Sequence, residues 1–422
     1  MFYDGFLKNS GILPYSGNFI AMPNARQPRI PASRLLDLAT KSATVLQTIR
    51  KTVLQPTNEK APPTLSTGRL AELCGLNTEQ VAYRASRGDL PSGRSGTGER
   101  RKWTVEEAAV WARAFRAELQ RPEGARAVTL STGNFKGGVA KSTTAMTVAQ
   151  GLALRGHRCL AVDTDPQGSL TSFFGLLPET DIDPEQTLLP LFSGLESSAA
   201  YAVRKTYWPG IDLIPAAPML YNAEMVLPSR QMQGHFGDAG AFYDVLRIGL
   251  EPLRDKYDVI IIDTSPSLGF CVMNAFVASD GLIIPMPPNM LDFASSTQFW
   301  SLFADLMSNL GQLGRAPEYD FIHILLTKVD ADDENAPIVT QWIQSTYGEH
   351  VMPVEIPKTM VATRSSLEFG TVFDMNRSFK HASGAYNRVI DRIERSILSA
   401  WQNQLADAEE ADGQGRTTEV RA

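Results

Sequence analysis

An α/β fold, a mostly parallel sheet covered by helices on both faces with a small helical segment ahead of it, is predicted by three features of the sequence. From Arg126 onward, apolar runs that do not alternate with polar residues are separated by helical stretches, the pattern of strands buried on both sides. A glycine- and lysine-rich stretch, NFKGGVAKST at 134–143, stands between the first of these runs and a helix. Ahead of it, residues 65–121 combine short helical patterns with a concentration of arginine.

The bulk composition agrees with such a fold. With 422 residues, 43% hydrophobic and 20% charged, the chain can bury a core and hold two or three domains. No run approaches the ~20 apolar residues of a membrane span. The start, MFYDGFLKNSG, lacks the basic and apolar regions of a secretory signal, so a cytoplasmic protein is expected. Cys74, Cys159 and Cys271 lie far apart without a CxxC pair, which argues against a disulfide framework or a zinc ribbon and for buried small hydrophobes. A net charge of −6 excludes a uniformly basic surface but not a local patch. From Arg84 to Lys102 six basic residues (Arg84, Arg87, Arg94, Arg100, Arg101, Lys102) face two acidic ones (Asp89, Glu99), a candidate phosphate-contacting face.

In chain order, residues 1–31 show no periodicity and are expected to be poorly ordered. Leu35, Leu38, Ala39, Leu46, Ile49 and Val53 recur mostly three or four apart, predicting an amphipathic helix over 32–54 that ends before Pro56. It would pack on the chain's own core or on a second subunit. The stretch QPTNEKAPP closes the 32–60 segment as a linker, and RPEG at 121–124 separates a small domain over 61–123 from the long part over 124–401. There the expected strands are AVTLST, CLAVD, IDLIPA, DVIIID, GLIIPM, FIHILLT and VMPVEI, with helices from Ser142, near 240–255, from 293 and near 337–347. The polar, acidic tail, 402–422, is expected to be disordered.

The loop at 134–143 has the parts of a phosphate cradle. Backbone N–H groups of a glycine turn and of a helix start surround phosphates, a lysine reaches the terminal ones, and the next hydroxyl binds magnesium. Gly137 and Gly138 supply the turn, Lys141 and Ser142 the last two roles, with Val139, Ala140 and Thr143 beside them. The strict GxxxxGK[ST] pattern is broken, since Phe135 and Ala140 stand where glycines belong. With its second lysine, Lys136, the loop KGGVAKST resembles that of the deviant-Walker P-loop NTPases, the family of ParA, MinD and the nitrogenase iron protein, and the resemblance spans 126 to about 400.

That resemblance implies ATP and Mg²⁺ as ligands, and for Lys136 a role across a nucleotide-sandwich homodimer, on the partner's phosphates. In TDPQGSLTSFFG, similarity to the family's DxDPQ motif gives Asp165 the orientation of the attacking water, with Asp163 beside it at the metal. Asp263, ending VIIID, takes the place of a carboxylate that holds magnesium through water, and DTSPSLG resembles the second switch. IIPMPPNMLDFASSTQF resembles the ParA segment that helps form the dimer and the nucleotide site. Thr327 and Lys328 are candidate adenine contacts, or merely end a strand.

Ala71, Gly75 and Val81 have the spacing of a helix-turn-helix, and the text to Phe115 resembles the MerR-type winged domain. On that reading Thr78, Gln80, Tyr83 and Arg84 face a DNA groove, while Arg94, Arg100, Arg101 and Lys102 of the wing meet phosphates or the minor groove. Trp103 and Trp111 read as core.

An N-terminal helix, a winged helix-turn-helix domain and this ATPase together resemble the larger ParA proteins. The resemblance implies a DNA-segregating, partner-stimulated, nucleoid-associated ATPase that binds non-specific DNA as an ATP dimer, meets a ParB-like centromere-binding protein, and represses its own operator. Lys358, Arg364, Arg377, Lys380, Arg388, Arg392 and Arg395 offer a second basic face. A nucleotide-sensing regulator without a segregation role is the alternative. A MinD-like membrane role is disfavoured by the tail ADAEEADGQGRTTEVRA, an iron–sulfur role by the cysteine positions, and a tyrosine kinase by the lack of a C-terminal tyrosine cluster.

Overall fold

The computed structural model describes residues 31–53, 60–94, 100–234, 241–312, 317–358, 370–374 and 380–419, so the stretch 1–30 and, in the second basic face, Arg364 and Arg377 lie outside the described residues. The chain divides into two compact units, 1–58 and 59–422. In the first, helix α1 (Ser33–Val53) forms where the periodicity places it, with Leu35, Leu36, Leu38 and Val45 exposed.

The second unit is built on a seven-stranded sheet. Its strands are β3 (Val128–Thr132), β4 (Cys159–Asp163), β5 (Arg204–Lys205), β6 (Ile211–Ile214), β7 (Val259–Asp263), β8 (Gly281–Met286) and β9 (Phe321–Leu326), in the order β5-β6-β4-β7-β3-β8-β9. Every pairing is parallel except the edge pair β5 with β6. All residues of β3, β4, β6, β7 and β8 are buried, which is why their runs are continuous rather than alternating. Thr132 pairs in register with Asp263, and Asp263 with Asp163, so three neighbouring strands end level. From β3 the chain leaves toward β4 on one side, while β8 lies on the other. Ligands of open α/β sheets bind at the carboxyl ends of strands at such a reversal point.

Ahead of the sheet, β1 (Leu65–Ser66), α2 (Thr67–Cys74), α3 (Thr78–Arg87), β2 (Lys102–Trp103) and α4 (Val105–Phe115) form the small segment. Gly75, at φ 66°, ends α2 in the left-handed conformation that glycine adopts without steric penalty, and Asn77 starts α3 with a capping box to Gln80. Ala71 and Val81 are buried where the two helices meet. β1 pairs antiparallel with β2, and Arg94 bridges Lys102. Trp103 and Trp111 are both fully buried and both donate their indole N–H to the Pro91 carbonyl, so they are core, as expected.

Two expectations need correction. VMPVEI does not form a strand: it touches β9 through Met352 N–H and Ile356 N–H, with only isolated bridges. The tail does not lose structure at Gln402. Helix α13 runs from Lys380 to Glu419. Its early part buries Val389, Ile390, Ile393, Ile397 and Trp401, the Trp401 indole donates to the Arg126 carbonyl, and QLADAEEA that follows consists of good helix formers. Among the described residues no helix is long and apolar enough to cross a membrane.

Candidate nucleotide site

The loop between β3 and α5 (Lys141–Leu154) is held from several sides. Asn134 Nδ2 donates to the Pro285 carbonyl while its Oδ1 accepts from the Lys136 N–H (3.0 Å), which fixes the first turn. Thr327 Oγ1 donates to the Val139 carbonyl (3.0 Å) and Lys328 Nζ to that of Gly138. Thr327 and Lys328 thus brace the loop from the end of β9, a more definite role than ending a strand. Gly137 and Gly138 have open space where a Cβ would point, and Gly138 sits at φ 77°. Ala140 takes φ 77°, ψ 32° at the start of α5, so alanine here adopts the left-handed conformation of the glycine it replaces instead of reshaping the turn.

Lys141 is buried, and its ammonium donates to the Lys136 carbonyl (3.0 Å). Burial lowers its proton affinity, while Asp263 and Asp165 act in the opposite direction. Asp263, fully buried, accepts from Thr132 Oγ1 (3.1 Å) and interacts with the Ser142 hydroxyl, yet its Oδ2 has no hydrogen-bond partner. Burial raises its pKa, with Asp165 adding to the rise and Ser142, Lys141 and Thr132 opposing it. A buried carboxylate oxygen without a partner beside a serine hydroxyl is what a hydrated cation would satisfy. Among the described residues no cluster of three or more His, Cys, Asp or Glu could hold a metal alone.

Both oxygens of Asp163 are engaged: Oδ1 accepts from the Asp165 N–H, and Oδ2 from the N–H and hydroxyl of Thr171 (2.8 and 2.7 Å). Asp163 therefore shapes the turn after β4. That turn presents Asp165, whose Oδ1 accepts from the Gln167 N–H and whose pKa is raised by burial against the pull of Lys141. Val139 points into the core and offers only backbone, while Thr143 lies on the cavity wall.

These residues line a cavity of about 900 Å³ that extends past Gln167 and Phe173 to Ile356, Pro357, Gly370 and Tyr386. The size is that of a small-molecule site. The apolar far end was not legible in the sequence, because it joins Phe173 to segments that lie far along the chain, at Ile356, Gly370 and Tyr386. Lys136 points away from this cavity and pairs with Asp292, at the start of α11 (Met290–Gln312). Glu224 accepts from the N–H groups of Phe270 and Cys271 (2.6 and 3.0 Å), and so caps α10 (Phe270–Val277) directly after the DTSPSLG switch. No local pattern marks Glu224, which meets its partners only through the fold.

In the small segment Thr78 and Tyr83 are exposed on α3. The Gln80 side chain is occupied by the capping box, and Arg84 lies over the Phe115 ring near Asp89. Arg94, Arg100 and Lys102 are exposed and Arg101 is half-buried, while residues 95–99 lie outside the described residues.

Comparison with known proteins agrees with this geometry. The family model described as an AAA domain matches residues 127–312. Protein SopA of Escherichia coli (strain K12) is 30% identical over 352 residues, covering 81% of this chain and 87% of that protein. The chromosome partitioning protein ParA of Caulobacter vibrioides (strain NA1000 / CB15N) is 28% identical over 233 residues, 55% of this chain and 80% of that one. The crystal structure of cobyrinic acid a,c-diamide synthase from Mycobacterium smegmatis with bound ATP analog and magnesium is similar at a TM-score of 0.50 and 28% identity, covering 64% of this chain and 95% of that one. With the double-lysine loop, the parallel sheet and a relative of this identity spanning four-fifths of its length, the chain belongs to the ParA-type partition ATPases.

Proposed function

We propose that this chain is a magnesium- and ATP-dependent DNA partition protein whose nucleotide state sets its affinity for DNA, and which represses its own operator through residues 61–123. One observation carries the nucleotide half: Lys141, Ser142 and Asp165 line a nucleotide-sized cavity, and the unpartnered oxygen of Asp263 lies behind them, on a carboxylate that interacts with the Ser142 hydroxyl. The loop amides from Gly137 to Thr143 would hold the phosphates, Lys141 the terminal ones, and Ser142 with Asp263 the magnesium. Magnesium, when bound, supplies charge neutralisation at the transferred phosphate. Asp165, a buried carboxylate with raised proton affinity, would orient the attacking water and accept its proton. Lys136 would leave Asp292 to reach a partner subunit's phosphates.

For DNA, the reading is supported by Arg388, Arg392 and Arg395, which are exposed one turn apart on α13 while Val389, Ile390 and Ile393 face inward. Each arginine that contacts a phosphate contributes about −0.9 to the slope of log K against log[salt]. Binding to random duplex by fluorescence anisotropy should be tight with ATP and weak with ADP. The triple variant Arg388→Ala/Arg392→Ala/Arg395→Ala should flatten the salt slope by about 2 to 3. Equal binding with either nucleotide would remove the nucleotide control, and an unchanged slope would remove this face.

A further inference from the structure

A lysine from outside the nucleotide motifs sits beneath the cavity. Lys60, five residues before β1, is buried at its side chain (8% exposed). Its ammonium donates to the Phe173 carbonyl (2.8 Å) and the Tyr207 hydroxyl (2.8 Å), pairs with Asp374 (3.0 Å), and lies over the Tyr207 ring. The group is closed by other long-range bonds: the Tyr207 hydroxyl donates to Asp374, Gln150 Nε2 donates to both, and the Thr371 N–H donates to Asp374 Oδ2 (2.7 Å). Gly175, at φ 82°, lies against the lysine stem.

Phe173, Gln150 and Asp374 lie on segments that also supply residues of the cavity wall. Phe173 lines the cavity and ends α6 (Ser169–Phe173), the helix that begins at Gly168, whose N–H donates to the Asp165 carbonyl (2.8 Å). Gln150 lies on α5 below Ser142, and Asp374 closely follows Gly370 on the opposite wall. On its other side Lys60 connects through Ala61-Pro62-Pro63-Thr64 to β1, which pairs with the wing strand β2. Two prolines make this link stiff, and Pro63 is itself buried. A shift of α6 or of residues 370–374 therefore moves a residue joined by a short rigid link to the winged segment. Removing Lys60 alone would leave Asp374 as a buried charge without its partner.

We infer that Lys60 is a positioning residue for the nucleotide site: it ties the turn carrying Asp165 to the segment entering the winged helices, so that occupancy of the cavity is transmitted to residues 65–115. The inference rests on the reading of the cavity as a nucleotide site. The test is hydrogen exchange of the full chain with and without Mg-ATPγS, comparing the native protein with the charge-balanced variant Lys60→Met/Asp374→Asn, and with Tyr207→Phe, which keeps the ion pair, should the first fail to fold. The native chain should show slowed exchange at 136–144 together with altered exchange at 65–115. In the double variant the response at 136–144 should persist while that at 65–115 shrinks at least about fivefold; Tyr207→Phe should reduce it partially. A native chain protected at 136–144 but silent at 65–115, or variants with the full native response, would overturn the role of Lys60 and leave the nucleotide reading intact. Absence of any slowing at 136–144 in the native chain would remove the nucleotide reading and this inference with it.

Discussion

Ala140 shows how a sequence departure is absorbed at a single residue. A left-handed conformation costs a residue with a Cβ about 1–2 kcal/mol, and glycine's extra freedom in the unfolded chain takes back about 0.5–1. Ala140→Gly should therefore stabilise the protein by about 0.5–1 kcal/mol in urea unfolding, and a loss of stability would show that the loop favours alanine for another reason. His323 gives a pH-dependent counterpart. It is buried against Ser396, and burial with the nearby charges of Arg392 and His350 lowers its pKa to about 4. Between about pH 4 and the ordinary 6.5 the unfolded chain binds this proton and the folded chain does not, so stability falls as pH drops through that window. The loss is about 3 kcal/mol, and His323→Gln should remove it, read as urea midpoints at pH 7 and 4.5; parallel losses in both proteins would contradict it. Lys141, Ser142 and Asp263 were legible in the sequence because they sit in local motifs. The partners of Lys136 and of α10, Asp292 and Glu224, were not, because each acts on a residue brought close only by the fold.

Between elements, the closest approach in the core is that of α5 to α13. A Cβ on Gly151 would stand 1.9 Å from Ile390 Cδ1, so the helix that starts at the phosphate loop is seated directly on the C-terminal helix. Gly151→Ala should destabilise by about 1–3 kcal/mol through overpacking, and adding Ile390→Val should recover part of it. Additive losses in the double variant would mean that the two sites do not share the contact. The same helix explains the misread tail: composition alone gave an acidic, polar end, while Trp401 and Leu405, packed in the main core cluster, carry the helix past Gln402. The strands were readable because burial on both faces leaves unbroken apolar runs. VMPVEI has such a run but meets β9 only through isolated bridges.

At the scale of the molecule, a net charge of −6 coexists with an outward arginine stripe on α13 and exposed basic residues at the wing, so charge placement rather than charge sum decides whether DNA is bound. Lys136, paired with Asp292, is absent from the wall of the nucleotide cavity, so the second lysine of the phosphate loop would arrive from a partner subunit. ATP turnover is therefore the most direct test, measured with and without random duplex DNA and a ParB-like partner, for the native chain, Lys141→Ala and Lys136→Ala. Slow basal hydrolysis, raised by DNA with the partner and lost in both variants, is the expected result. Turnover that neither DNA nor partner changes, or that survives in Lys136→Ala, would contradict a segregation ATPase completed across two subunits.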